Sequence, residues 1–197
     1  MNVKQLYETA QECFGKRSTL LNFWQTSAEN FYPMRADFTV TRTVGAEMMD
    51  GLDSSYPIIA ARDFMDQMGG MLRPKNKPWF HTIVTDTRVK DTEAQAWLQW
   101  ATETQRRAMY DRVAQFGRAT KEGDSYYSIF GQAVLSARLN KNANALLYRC
   151  WHLRDVAWME NAEGKIGAYF RKWKPKARDL KLMFGDKCND KVTRLAD

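Results

Sequence analysis

The sequence carries few side chains suited to chemistry near neutral pH: two histidines, His81 and His152, and three cysteines, Cys13, Cys150 and Cys188. Cys150 and His152 stand two residues apart in a segment that reads as a strand, so they share a face. A metal site needs about three or four such ligands, and His81 is the one other histidine, so burial or hydrogen bonding is expected for the pair. Asp50 and Asp53 flank Gly51 and resemble an acid or metal pair, yet short Asp/Gly stretches ahead of a helix serve capping and turn chemistry. Asp155 and Glu160 are separated by an odd number of residues, fall on opposite faces of a strand and cannot converge as a dyad. There is no glycine-rich loop ending in Gly-Lys-Ser/Thr, no GxSxG elbow and no HExxH pair. Two histidines leave few candidates for a general base. No catalytic activity, cofactor or metal is expected.

Charge says more than catalysis. Residues 1–100 hold 11 Lys/Arg against 12 Asp/Glu, whereas residues 101–197 hold 19 against 11. Within 165–181, seven bases face one acid, Asp179, so most of the net +7 belongs to one stretch. Arg171, Lys172, Lys174, Lys176 and Arg178 are the candidate site: either a solvated edge or a contact for an anion, such as nucleic-acid phosphates or an acidic partner. Trp79, Trp97, Trp100, Trp151 and Trp158 could in principle stack on single-stranded bases, but packing is the usual role of such rings. Trp173 differs because it sits inside the run Arg171-Lys172-Trp173-Lys174.

The elements that must position these residues follow from periodicity. Residues 3–31 place Val3, Leu6, Ala10, Phe14, Leu21, Trp24, Ala28 and Phe31 on one helical stripe, with Gly15 a candidate division point and Pro33 a stop. Residues 34–53 read as an extended loop, with a short strand around Phe38–Arg42. A helix runs from about Pro57 to Leu72, after capping oxygens at Asp53, Ser54 and Ser55. The prolines of 73–78 enforce a connection, and the β-branched and aromatic run 79–85 predicts a strand. Thr92-x-x-Gln95 opens a long helix whose inner face includes Trp97, Leu98, Ala101, Met109, Val113 and Phe116. Gly117 and Gly123 predict a break before a shorter helix carrying Tyr126, Tyr127 and Phe130.

After Gly131 the period falls to two. Alternation over 133–140, an Asn-rich turn at 141–144, a strand over 145–153 and a hairpin around Asn161–Gly164 predict an antiparallel meander. A last helix spans Lys176–Phe184 and stops at Gly185. The expected class is α+β, with several amphipathic helices packed on that meander. Residues 1–130 form the mainly helical part, 131–185 the meander plus a short helix, and 186–197 a tail or the start of a further element.

Broad composition agrees. With 197 residues, 44% hydrophobic and 13% aromatic, the chain has the means to build a packed core. Its apolar runs are far shorter than the roughly 18–20 residues of a bilayer span, so no membrane is expected. No signal peptide is visible, and three scattered cysteines give no disulfide framework, which points to a reducing cytoplasm.

Several segments, taken in order, resemble the head-to-tail connector or portal proteins of short-tailed bacteriophages. They are Leu20-Leu21-Asn22-Phe23-Trp24-Gln25 through Phe31-Tyr32-Pro33, Asp53-Ser54-Ser55-Tyr56-Pro57, Ala60-Ala61-Arg62-Asp63-Phe64, and Gly69-Gly70-Met71-Leu72-Arg73-Pro74 before Trp79-Phe80. Phe130-Gly131-Gln132-Ala133-Val134-Leu135, Leu147 through Asp155, Glu160-Asn161-x-x-Gly164 and Tyr169-Phe170-Arg171-Lys172-Trp173 continue the likeness. It extends from about residue 17 to 185 and is carried by collinearity, since no single piece is a chemical signature.

The resemblance implies a homo-oligomeric ring, twelve-fold in the full-length protein, at one capsid vertex of the virion, with assembly in the host cytoplasm. Such a ring passes double-stranded DNA during packaging and ejection and meets terminase, scaffold or capsid, and tail adaptor proteins. Family members are longer, and their channel helices, clip and crown would follow Asp197, so the chain is expected to be the wing part of a subunit. The second expectation is a free-standing accessory protein that binds nucleic acid without sequence preference through the basic hairpin of 165–178.

Overall fold

A computed structural model describes residues 2–43, 45–49, 51–74, 77–85 and 91–196. Asp50 of the Asp50–Asp53 pair, and Lys75 and Asn76 of the 73–78 connection, lie outside them. The chain forms two compact units, Met1–Arg154 and Asp155–Asp197. The first holds helices α1 (Val3–Gly15), α2 (Ser18–Phe31), α3 (Tyr56–Leu72), α4 (Thr92–Tyr110) and α5 (Phe116–Phe130), then strands β1 (Val134–Leu139) and β2 (Leu146–Trp151). The second holds β3 (Val156–Glu160), β4 (Ile166–Arg171), α6 (Ala177–Phe184) and α7 (Asp190–Ala196). The α+β class stands.

The core of the first unit is an aromatic cluster. Trp24 on α2 is 1% exposed and meets Phe38 at 5.6 Å and Phe130 at 6.3 Å between ring centroids. Phe38 also packs on Phe130 and on the His152 ring, at 5.0 and 4.8 Å. Tyr126, on α5, closes the group against Phe130 and His152. Rings meeting at steep angles bring edge to face, which favours the contact beyond the area it buries. A second cluster centres on Phe116, flanked by Trp79, Tyr110 and Tyr148.

Gln25 fastens the loop after α2 to this core. Its buried amide donates from Nε2 to the Ala36 carbonyl at 3.0 Å and to Glu29 Oε1 at 2.7 Å. Its Oε1 accepts from the backbone N–H groups of Phe38, at 2.8 Å, and Thr39, at 3.2 Å. One side chain thus satisfies the backbone of 36–39, which bends instead of forming the strand expected at Phe38–Arg42.

Other expectations are met or corrected locally. The long N-terminal stripe does divide after Gly15, with a turn at Lys16-Arg17, and α2 stops ahead of Pro33. Residues 79–85 form no strand. The Thr82 N–H donates to Thr102 Oγ1 of α4 at 2.8 Å, so a helix side chain takes the place of a ladder partner. The cap of α4 is Asp91, which accepts from the Glu93 N–H, and not Thr92. That helix ends at Tyr110: Asp111 Oδ1 accepts from the Val113 N–H at 2.7 Å, and Gln115 turns left-handed with φ of 54°. Phe116 therefore opens α5, which runs unbroken through Gly117 and Gly123. Gly123 serves packing, since a Cβ there would meet Leu135 Cδ1 of β1 at 3.0 Å.

The strands form two separate two-stranded antiparallel ladders, β1–β2 and β3–β4, and not one continuous meander. The reason lies between β2 and β3. His152 Nδ1 accepts the Arg154 N–H at 3.1 Å, and Arg17 donates to the carbonyls of Leu153 and Arg154, each at 3.2 Å. Backbone groups that would extend a ladder are consumed there. Each hairpin is pinned by an asparagine: Asn140 Oδ1 accepts from the N–H groups of Asn144 and Ala145, and Asn161 Oδ1 from those of Glu163 and Lys165. Gly164 supplies the positive φ, 71°, foreseen for the second turn. Residues 186–197 are not patternless: α7 forms behind Asn189, whose Oδ1 accepts the Lys191 N–H at 2.9 Å.

Gln25→Ala should cost about 2–3 kcal/mol in urea unfolding, because it leaves the Phe38 N–H buried without a partner and opens a small cavity. A change below about 0.5 kcal/mol, within the range of an ordinary surface substitution, would show that the loop is held by other contacts.

Candidate functional site

The five basic residues singled out from the sequence lie in one stretch of the second unit, from the end of β4 into the first turn of α6. Arg171 is half-buried with its guanidinium 4.7 Å from the centroid of the Trp173 ring, a cation–π contact. The Lys172 N–H donates to the Asp155 carbonyl at 2.8 Å, which sets where β4 releases the chain. Lys172, Lys174, Lys176 and Arg178 are exposed. Lys176 is the N-cap of α6 and makes no side-chain cap, while Arg178 and Asp179 lie in the first turn. Cations at a helix N-terminus oppose its dipole, so this end favours an anion.

The tryptophans divide differently from the core reading. Trp24 is central, but Trp97 and Trp100 on α4 are 60% and 57% exposed and tilt against each other at 6.4 Å. Val113, also expected inside, is exposed, and the inward position of α4 is taken by Thr102, whose hydroxyl bonds to the Leu98 carbonyl. Exposure extends to Ile83 and Val84, to Val3, Leu6 and Tyr7 of α1, and to Tyr56, Phe64, Met71 and Leu72 of α3. Helical spacing identified amphipathic stripes correctly but not which of them this chain covers by itself.

The Cys150–His152 pair is structural. His152 Nε2 lies 2.6 Å from Asp37 Oδ1, and its Nδ1 accepts from the Arg154 N–H, so the geometry assigns the proton to Nε2 and leaves neither ring nitrogen open. Burial pushes the Cys150 thiol up to about 11, far from a thiolate at neutral pH. Among the described residues no group of three or more His, Cys, Asp or Glu could hold a metal ion. Asp53 is exposed, and among the described residues no helix is long and apolar enough to cross a membrane.

Asp37 is the group that sequence reading missed, since its partners lie over a hundred residues away and nothing local marks it. Arg154 Nη1 donates to Asp37 Oδ2 at 3.1 Å and to the Asp37 carbonyl at 2.6 Å. Burial pushes the Asp37 carboxyl upward, but the His152 hydrogen bond and the charges of Arg154 and Arg35 outweigh it and hold the group below the usual carboxylate range. A carboxyl lowered by folding contributes stability above its unfolded value, about 3.9, and that contribution is lost as pH falls through the folded value. Asp37→Asn keeps an acceptor for His152 but removes the charge facing Arg154. It should lower the unfolding midpoint at neutral pH and flatten the acid limb below about pH 4. Parallel pH curves for the two proteins would refute this.

The geometry thus offers two surfaces, one cationic and one apolar, and a histidine whose ring serves the fold. No curated protein matches the chain. Residues 3–197 match the family described as bacteriophage head to tail connecting protein. Since that match spans nearly the whole sequence, the chain belongs to the bacteriophage head to tail connecting protein family.

Proposed function

We propose that this connector protein contributes the wing part of a portal ring at the capsid vertex, a ring that conducts double-stranded DNA during packaging and ejection and receives terminase and tail adaptors. Membership of the connector family carries the coarser statement: a structural phage protein of the virion that assembles with capsid and tail. The observation that supports the finer reading is the exposed apolar surface of α1, α3 and α4. Trp97, Trp100, Phe64 and Met71 stand in water although each belongs to an amphipathic helix. Surfaces of this kind are the mark of association. A ring subunit covers them with its neighbours, and twelve-fold closure is the ring number this reading carries.

Sedimentation velocity and electron microscopy of the concentrated protein should find closed rings. Trp97→Glu/Trp100→Glu should abolish them without changing the circular dichroism, since both side chains are exposed. A strict monomer at about 100 µM, a concentration well above the dissociation constant of an ordinary stable interface, would reject the ring reading.

A second reading draws on the cationic end of α6, with Arg171 stacked on Trp173: a free-standing accessory protein that binds nucleic acid. Neutralising about five phosphates would give a log–log salt slope of about −4 to −5 on random duplex DNA, independent of sequence. Weak or no binding is expected from the chain on its own. Tight binding that disappears in Arg171→Glu/Lys174→Glu/Lys176→Glu would favour the accessory protein over the ring subunit.

A further inference from the structure

A cavity of about 1190 Å³ opens in the first unit between α3, the end of α4 and the start of α5. Arg73, Lys77, Arg106, Arg107 and Lys121 line it. Among the described residues only two acids do so, and both are engaged: Asp124 with Arg73, and Asp66 with Lys121 at 3.4 Å. Three cations are in excess. The floor is apolar, supplied by Met65, Pro74, Tyr110 and Phe116. The site therefore asks for a ligand that is both acidic and apolar. Duplex DNA brings charge but no apolar group that fills a concave floor.

The chain contains such a segment. From Thr43 to Ala61 there is no Lys or Arg, and Glu47, Asp50 and Asp53 alternate with Met48, Met49 and Leu52. Glu47 and Asp53 are exposed, as is Met49 at 54%. Gly45 and Gly51 turn the loop with φ of 87° and 89°, and a Cβ on either would meet nothing within 4 Å. At these two turns the loop faces open space, while Ala46, Met48 and Leu52 are half-buried. Among the described residues, none of the loop lines the cavity of its own chain.

We propose that residues 46–53 of one copy dock in the α3–α4–α5 cavity of the next, with Met49 and Leu52 on the apolar floor and the carboxylates against Lys77, Arg106 and Arg107. This rests on the assembly reading above and specifies its contact. Cavity against cavity would oppose like charges, and so would loop against loop, so each patch takes the other kind as its partner. Where each copy gives its loop to one neighbour and its cavity to another, as the ring reading requires, the contact is heterologous, and its repetition closes into a ring when the rotation allows.

The test uses two charge-reversed forms of the chain, Arg106→Glu/Arg107→Glu in the cavity and Glu47→Lys/Asp53→Lys in the loop. All four positions are exposed, and circular dichroism checks that each form folds. In sedimentation velocity at low salt each form alone should associate about tenfold more weakly than wild type or worse. An equimolar mixture should regain association, because the reversed cavity of one now fits the reversed loop of the other. Association of both forms as strong as wild type would overturn this contact while leaving the ring reading in place. Weakening without recovery on mixing would overturn the pairing of loop with cavity. Unchanged association with loss of duplex DNA binding in the cavity form would reassign the cavity to nucleic acid. A wild-type chain that never associates would remove both readings.

Discussion

The guanidinium of Arg17 joins the two ends of the first unit. It sits in the turn between α1 and α2 and donates to the carbonyls of Leu153 and Arg154, 136 and 137 residues along the chain. Around it the other ties converge. His152 reaches Asp37, Arg154 returns to the same carboxylate, and Gln25 holds the backbone that carries Asp37. Arg17 is a buried cation held by carbonyls, and Asp37 is a half-buried carboxylate held by an arginine and an imidazole. The aromatic cluster of Trp24, Phe38, Tyr126 and Phe130 packs around this polar knot. The rings are the largest side chains of this core, and the polar ties link the loop after α2 and the turn before α2 to the chain just past the end of β2.

That division explains what the sequence could and could not disclose. The helices of 3–31, 56–72 and 177–184 were legible because apolar spacing, proline and glycine act over a few residues. The asparagine turns of both hairpins were legible for the same reason. Four features were not. The break at Tyr110 depends on the Asp111 side chain outcompeting the helix, and the loss of the 79–85 strand on Thr102 lying opposite. The division of the meander follows from Arg17, far away in sequence, and Asp37 had no local signal at all. Asn189 ahead of α7 was a readable cap, overlooked because the segment behind it is short and weakly apolar.

The candidate surfaces show the same asymmetry. The basic stretch from Arg171 to Arg178 was visible as composition and remains a surface feature, with Arg171 turned onto Trp173. The exposed pair Trp97 and Trp100 was read as core because spacing reports that a helix has an apolar side, not what covers it. In a connector protein those two statements come apart. An apolar stripe left open in one chain is a surface suited to association.

Helix α1 carries this further. None of its thirteen residues is fully buried, and Val3, Leu6 and Tyr7 point into water. A helix of that length is marginal when nothing covers it, because nucleation is costly and each added residue returns little. A partner surface that covered it would add helical free energy that grows with the logarithm of that partner's concentration over its dissociation constant. Amide exchange along residues 3–15 would then gauge occupancy of that surface, fast where it stands empty and slow where it is filled.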